Sequence, residues 1–160
     1  MSKIQIRKGL FETNSSSTHC IVIGNNGQNI YANLPQEVEF TTGKFGWEYE
    51  YYTDTYTKAQ YLYTAILTTG QTDYLDQIKD VLKKWNIQCS FDEPTEFYYI
   101  DHSWELKFWV KEICQSEELL MNYLFCIDSF VETGNDNTCP IYLDEIEKPS
   151  NVLHEFEKGN

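Results

Sequence analysis

Three histidines and a scatter of carboxylates are the residues of this chain best suited to binding a metal or moving a proton. His19 closes a polar string, Phe11-Glu12-Thr13-Asn14-Ser15-Ser16-Ser17-Thr18-His19. Such a string either lines a pocket that sets the imidazole on a ligand, or satisfies its own backbone through Asx and ST turns; residue chemistry alone favours the turn. His19 and Cys20 are adjacent, so in an extended chain they point to opposite sides and form neither a catalytic dyad nor a shared metal site. Asp101-His102-Ser103 follows the apolar run Phe97–Ile100. Carboxylate and imidazole at a strand end are a common metal set, and the plain alternative is Asp or Ser capping a following helix. Gly134-Asn135-Asp136-Asn137 reads first as a hairpin turn. Phe45-Gly46-Trp47-Glu48 places its aromatics in a core and leaves Glu48 for function.

Zinc takes three or four nitrogen, oxygen or sulfur ligands, which need not be neighbours in sequence. His19, His102, Glu48, Asp101 and Asp136 are the donors near loops or strand ends. No two histidines have H-x-x-x-H spacing, and His154 reads as a surface residue of a terminal helix. None of the five cysteines lies in a C-x-x-C pair, so they read as small, reduced, buried side chains. There is no P-loop, G-x-G-x-x-G, G-x-S-x-G or H-E-x-x-H string, and no conventional catalytic machinery is assigned.

Several elements must position these residues. Ile4 and Ile6 alternate with polar neighbours, Cys20–Ile23 is an apolar run ended by Gly24, and Val38 and Phe40 alternate with Glu37 and Glu39, all strand patterns. Asp54 or Thr55 caps a helix carrying Ala59, Leu62, Tyr63 and Ile66, with Gly70 at its end. Thr72 opens a second helix with the stripe Leu75, Ile78, Val81, Leu82 and Trp85. Strands return at Ile87–Phe91 and Phe97–Ile100, while 103–115 fits either strand or helix. Ser116-Glu117-Glu118 starts a helix that buries Leu119, Leu120, Tyr123, Leu124 and Ile127. Thr133–Asn137 reads as a turn, and Ser150–Gly159 as a last short helix. Strands and helices without a βαβ rhythm predict one α+β domain over residues 1–160, a mainly antiparallel sheet with about three to four helices packed on it.

The chain has 160 residues, room for one ordinary core. Its net charge is −13, and that charge is lopsided: residues 1–90 carry 9 acids against 8 bases, residues 91–160 carry 16 against 4. A nucleic-acid binder needs Lys and Arg to replace counterions, so direct nucleic-acid binding is disfavoured for the C-terminal part. The first residues lack the apolar core of a secretory signal, and Leu119–Ile127 is too short to span a bilayer. The expectation is a cytoplasmic protein with no membrane partner.

Residues 4–19, Ile-Gln-Ile-Arg-Lys-Gly-Leu-Phe-Glu-Thr-Asn-Ser-Ser-Ser-Thr-His, resemble the opening of a family of small proteins from phages and prophages of Gram-positive bacteria. Phe45–Glu48, Asp101-His102 and Thr133–Asn137 resemble later blocks of that family. Length and acidity are also similar to those of zinc-containing type II anti-CRISPR proteins, inhibitors of the RNA-guided CRISPR nuclease. The resemblance implies a binding protein of the host bacterial cytoplasm, with that nuclease as partner and zinc in a structural role. It carries the metal role first to His19 and His102, then to Glu48, Asp101 and Asp136, with Cys20 in reserve.

Such a nuclease holds its heteroduplex in a positively charged channel, which an acidic protein could occupy or guard. The candidate contact acids are Glu117, Glu118, Asp128, Glu132, Asp144, Glu145 and Glu147, and exposed tyrosines among Tyr49, Tyr51 and Tyr52 are candidate anchors. Most such acids belong to a solvated face in any case. Two rivals remain open: a metal-dependent hydrolase or nuclease on His19, Asp101, His102 and Asp136, and a phage inhibitor of another nucleic-acid-binding host protein.

Overall fold

The computed structural model describes residues 17–25, 29–46, 48–101, 106–135 and 152–158. The Ile4–Ile6 strand and Phe11–Ser16 lie outside them. At the centre is β1 (Ser17–Gly24), the strand that carries the Cys20–Ile23 run. It is flanked by β7 (Phe130–Asn135) and β8 (Val152–Lys158), both antiparallel to it, and β4 (Glu50–Tyr52) pairs antiparallel with the far side of β7. Among the described residues, the order β4-β7-β1-β8 makes a four-stranded antiparallel sheet. An unbroken apolar run suits a strand buried on both faces. Ile21, Ile23 and Val131 enter the main core, while Cys20, Val22 and Phe130 form a second buried cluster.

Among the described residues, four α-helices complete an α+β fold. The longest, α1 (Thr55–Thr69), is capped by Asp54, whose carboxylate accepts the Thr57 N–H at 2.7 Å. It ends at Gly70, whose φ of 70° is the left-handed conformation that lets the Gln71 N–H turn back to the Ile66 carbonyl. Its buried residues, among them Lys58, Ala59, Tyr61, Leu62 and Ile66, go well beyond one stripe, as expected of a helix in the middle of the core. In α2 (Tyr74–Lys84), Ile78 and Leu82 are buried and Leu75, Val81 and Trp85 pack beside them, which is the expected stripe.

The ambiguous segment resolves as α3 (Leu106–Gln115), with Leu106, Trp109, Val110 and Ile113 buried at helical spacing. Phe108 on the opposite side is 74% exposed. Ser116 caps α4 (Glu117–Phe125) as expected, accepting the Leu119 N–H. Ile127 does not join its buried face: the helix stops at Phe125, and Ile127 is 62% exposed.

Two short parallel pairs stand apart from the main sheet. β2 (Glu37–Phe40) pairs with β5 (Gln88–Phe91), and β3 (Lys44–Phe45) with β6 (Tyr99–Ile100). Two further sequence expectations are corrected here. Residues 152–158 are a strand rather than part of a helix, because pairing with β1 satisfies backbone groups on both chains, while a short helix has little stability of its own. Thr133, Gly134 and Asn135 likewise extend β7 instead of turning, since His19, Thr18 and Ser17 lie opposite them.

Candidate functional site

The described residues of the stretches singled out for chemistry, far apart along the chain, meet at one corner of the fold. His19 lies opposite Thr133 across the β1–β7 ladder, and Thr18 opposite Gly134. The His19 Nε2 is 2.9 Å from the Gly46 carbonyl. Thr133 Oγ1 donates to the Glu48 carbonyl at 2.9 Å. Asp101 donates its backbone N–H to the Phe45 carbonyl at 3.0 Å, continuing the β3–β6 pairing past Ile100. A Cβ added at Gly46 would stand 3.5 Å from the Asp101 carboxylate and 3.7 Å from the Tyr99 ring and hydroxyl, so both side chains pack over the turn.

His19 is fully buried, and its Nδ1 lies 2.8 Å from the Tyr61 hydroxyl. A carbonyl only accepts, so the Gly46 contact assigns the ring proton to Nε2, and Nδ1 then accepts the Tyr61 O–H. Tyr61 is itself fully buried, and that burial, with the neighbouring Cys20 second, pushes its phenol far above the ordinary range, keeping it a donor. His19 thereby ties β1 to α1 and to the turn after β3. Ligating a metal would require it to give up one of these bonds. Cys20 does point the opposite way, into the cluster with Val22 and Phe130.

Glu48 is exposed and Asp101 half-buried, whereas His102 and Asp136 lie outside the described residues. The chain neighbour of His102 is Asp101, at the corner, and that of Asp136 is Asn135, opposite Ser17. Among the described residues, no three His, Cys, Asp or Glu side chains are grouped to hold a metal ion. The described donors therefore do not make up a zinc site by themselves.

Among the described residues, the expected contact acids differ in exposure. Glu118 is exposed. Glu117 is held by Lys84 at 2.9 Å and by the Trp85 indole N–H at 3.0 Å, and these hydrogen bonds lower its pKa. Asp128 is half-buried, and Asp144, Glu145 and Glu147 lie outside the described residues. Glu132 corrects the expectation: it is fully buried, opposite Cys20 and Tyr51 in the sheet, and is no surface contact. Of the tyrosines, Tyr52 packs on Phe45 in the core, while Tyr49 and Tyr51 are partly exposed and Tyr51 lies against Phe130.

Sequence reasoning did not single out Tyr61 or Lys58. Lys58 is 1% exposed and donates from Nζ to the carbonyls of Cys126 and Ser129, at 3.0 and 3.1 Å. Its position within the buried turns of α1 was the available signal. Elsewhere, a cleft of about 620 Å³ between α2 and β5 is lined by Lys79, Lys83, Asn86, Ile87, Gln88 and Cys89, and shares nothing with the corner. Among the described residues, no helix is long and apolar enough to cross a membrane.

No protein family, curated protein or solved structure matches the chain.

Proposed function

We propose that this chain is a binding protein that inhibits a type II RNA-guided CRISPR nuclease in the host bacterial cytoplasm, by blocking the loading of target DNA. The observation that carries the reading is the charge distribution, 16 acids against 4 bases in residues 91–160. An excess of negative charge of this size is steered toward a positively charged channel and repelled by phosphate. The resemblance of Phe11–His19 to phage and prophage proteins supplies the class of partner. His19 supports a binding role over a catalytic one, since both its ring nitrogens hold structure together. A structural zinc belongs to this reading through His102 and Asp136, joined by Asp101 or Glu48 at the corner.

The test is target-DNA cleavage by a reconstituted type II nuclease, with the protein added before or after the DNA. Dose-dependent protection only when it is added first supports a block at loading. No effect on nucleases from several streptococcal hosts overturns the reading. The convergence of the singled-out stretches favours one second reading, a metal-dependent hydrolase at the same corner. Turnover of a nucleic-acid substrate that stops on chelation, with the fold intact, would select it.

A further inference from the structure

We propose that the partner-binding face is the aromatic patch of Phe97 and Tyr99 beside the corner, and that its occupant is a basic protein surface. This inference rests on the inhibitor reading and places its contact away from the helix-start acids Glu117 and Glu118. Phe97 is 70% exposed and Tyr99 42% exposed. Lys44, opposite Tyr99 in the β3–β6 pair, holds its ammonium 5.8 Å from the centre of the Phe97 ring. Tyr99 also packs over Gly46, so the patch continues into the corner built on His19.

The segment that presents Phe97 is tied down at successive points. The Asp92 N–H donates to the Phe40 carbonyl, and the Asp92 carbonyl accepts the Tyr63 hydroxyl at 2.8 Å. The Thr95 N–H donates to Thr42 Oγ1 at 3.1 Å, and the two threonine hydroxyls are 2.9 Å apart. Thr95 Oγ1 then donates to the Phe97 carbonyl, so Thr42 supplies the proton between the hydroxyls. Tyr99 returns its N–H to Gly43. A large apolar side chain is thus held in water on an ordered backbone, which lowers the ordering cost of binding. Aromatics of this kind carry a large share of interface energy.

Charge selects the occupant. Asp92, Glu93 and Glu96, all exposed on the same segment, outnumber the one cation among the patch's described residues, Lys44. They repel phosphate, which disfavours nucleic acid, and a second copy of this chain would bring the same acids against them. A surface rich in Arg or Lys satisfies the acidic rim, and its guanidinium groups or aliphatic stems can stack on the rings.

The experiment compares wild type, Phe97→Ala, Glu93→Lys with Glu96→Lys, and Phe108→Ala. Each is assayed for binding to guide-loaded nuclease at low and high salt and for inhibition of cleavage. Phe97→Ala is expected to weaken both by about tenfold or more with an unchanged melting temperature. The charge reversal is expected to slow association and flatten its salt dependence. Phe108→Ala, which removes an equally exposed ring on α3, is expected to behave as wild type. If wild type inhibits and both patch variants match it, this inference falls and the inhibitor reading stands. If Phe108→Ala loses binding equally, the contact is general hydrophobic adhesion and the inference falls. If wild type neither binds nor inhibits, the inhibitor reading falls and takes this surface with it.

Discussion

The His19 imidazole and the Tyr61 phenol form a buried pair, 2.8 Å apart, in which the phenol donates to Nδ1 while Nε2–H holds the Gly46 carbonyl. Three elements meet at two ring nitrogens. Removing the Tyr61 hydroxyl leaves a buried nitrogen without that donor, so Tyr61→Phe is expected to cost roughly 1–3 kcal/mol. Chemical denaturation measures the loss. A variant as stable as wild type would mean that Nδ1 finds another donor and the pair holds nothing.

Lys58 produces a pH dependence of opposite sign to that of a salt-bridged lysine, whose pKa is raised in the fold. Burial lowers its pKa from 10.5 to about 8, with Cys126 and then Asp54 acting the other way. Below pH 8 both states are charged, and the folded state carries the desolvation cost. Between 8 and 10.5 the unfolded chain keeps a proton that the fold has released, so this contribution to stability rises with pH. The neutral amine still has two N–H donors for its two carbonyls. Cys114, raised to about 12 by burial, pulls stability down over the alkaline range, as do the buried phenols of Tyr61 and Tyr123. The comparison with Lys58→Met isolates the lysine: the stability gap between wild type and variant should widen by about 2 kcal/mol from pH 8 to 10. A gap that stays constant with pH would show that Lys58 keeps its proton throughout.

Gly24 closes β1 where the chain has no room for a side chain. A Cβ there would meet the Asp128 Cβ at 2.7 Å and its carbonyl carbon at 3.0 Å. The Gly24 N–H also donates to Ser129 Oγ at 2.9 Å, and Lys58 grips the Ser129 carbonyl from α1. Gly24→Ala therefore displaces residues 126–129 and is expected to destabilise by about 1–3 kcal/mol. Combining it with Lys58→Met should cost less than the sum of the two, because both act on one loop. Strict additivity in a double-mutant cycle would separate the two sites.

What was legible in the sequence is what local chemistry decides. Asp54, Gly70 and Ser116 announced helix ends because capping involves a few neighbouring atoms. The Leu75–Trp85 stripe announced α2 because one face alone is apolar. Strand 152–158 was hidden because its partner is β1, more than a hundred residues away, and its own residues suit a helix equally well. Glu132 looked like another surface acid, since nothing adjacent to it signals that Cys20 and Tyr51 lie across the ladder. The corner was legible as separate stretches but not as one place. His19, Gly46, Asp101 and Thr133 are brought together by pairing between distant strands, which leaves no period in the sequence. Phe97 reads as a strand residue by composition, whereas it lies ahead of β6 and is exposed.

Metal removal separates ligation from hydrogen bonding at this corner. Under the inhibitor reading, untagged protein is expected to carry one zinc and to melt at a lower temperature after chelation. His102→Ala is expected to release the metal. His19→Gln is expected to keep it while losing stability, because both nitrogens of His19 are engaged by Tyr61 and Gly46. Metal analysis and thermal melts of the two variants read these outcomes together. Zinc lost from His19→Gln while its fold stays intact would put a ring nitrogen on the ion in place of its bond to Tyr61 or Gly46. Sub-stoichiometric metal in wild type, with a melt unchanged by chelation, would remove zinc from the corner and leave the His19–Tyr61 pair and the β1–β7 ladder as what holds it.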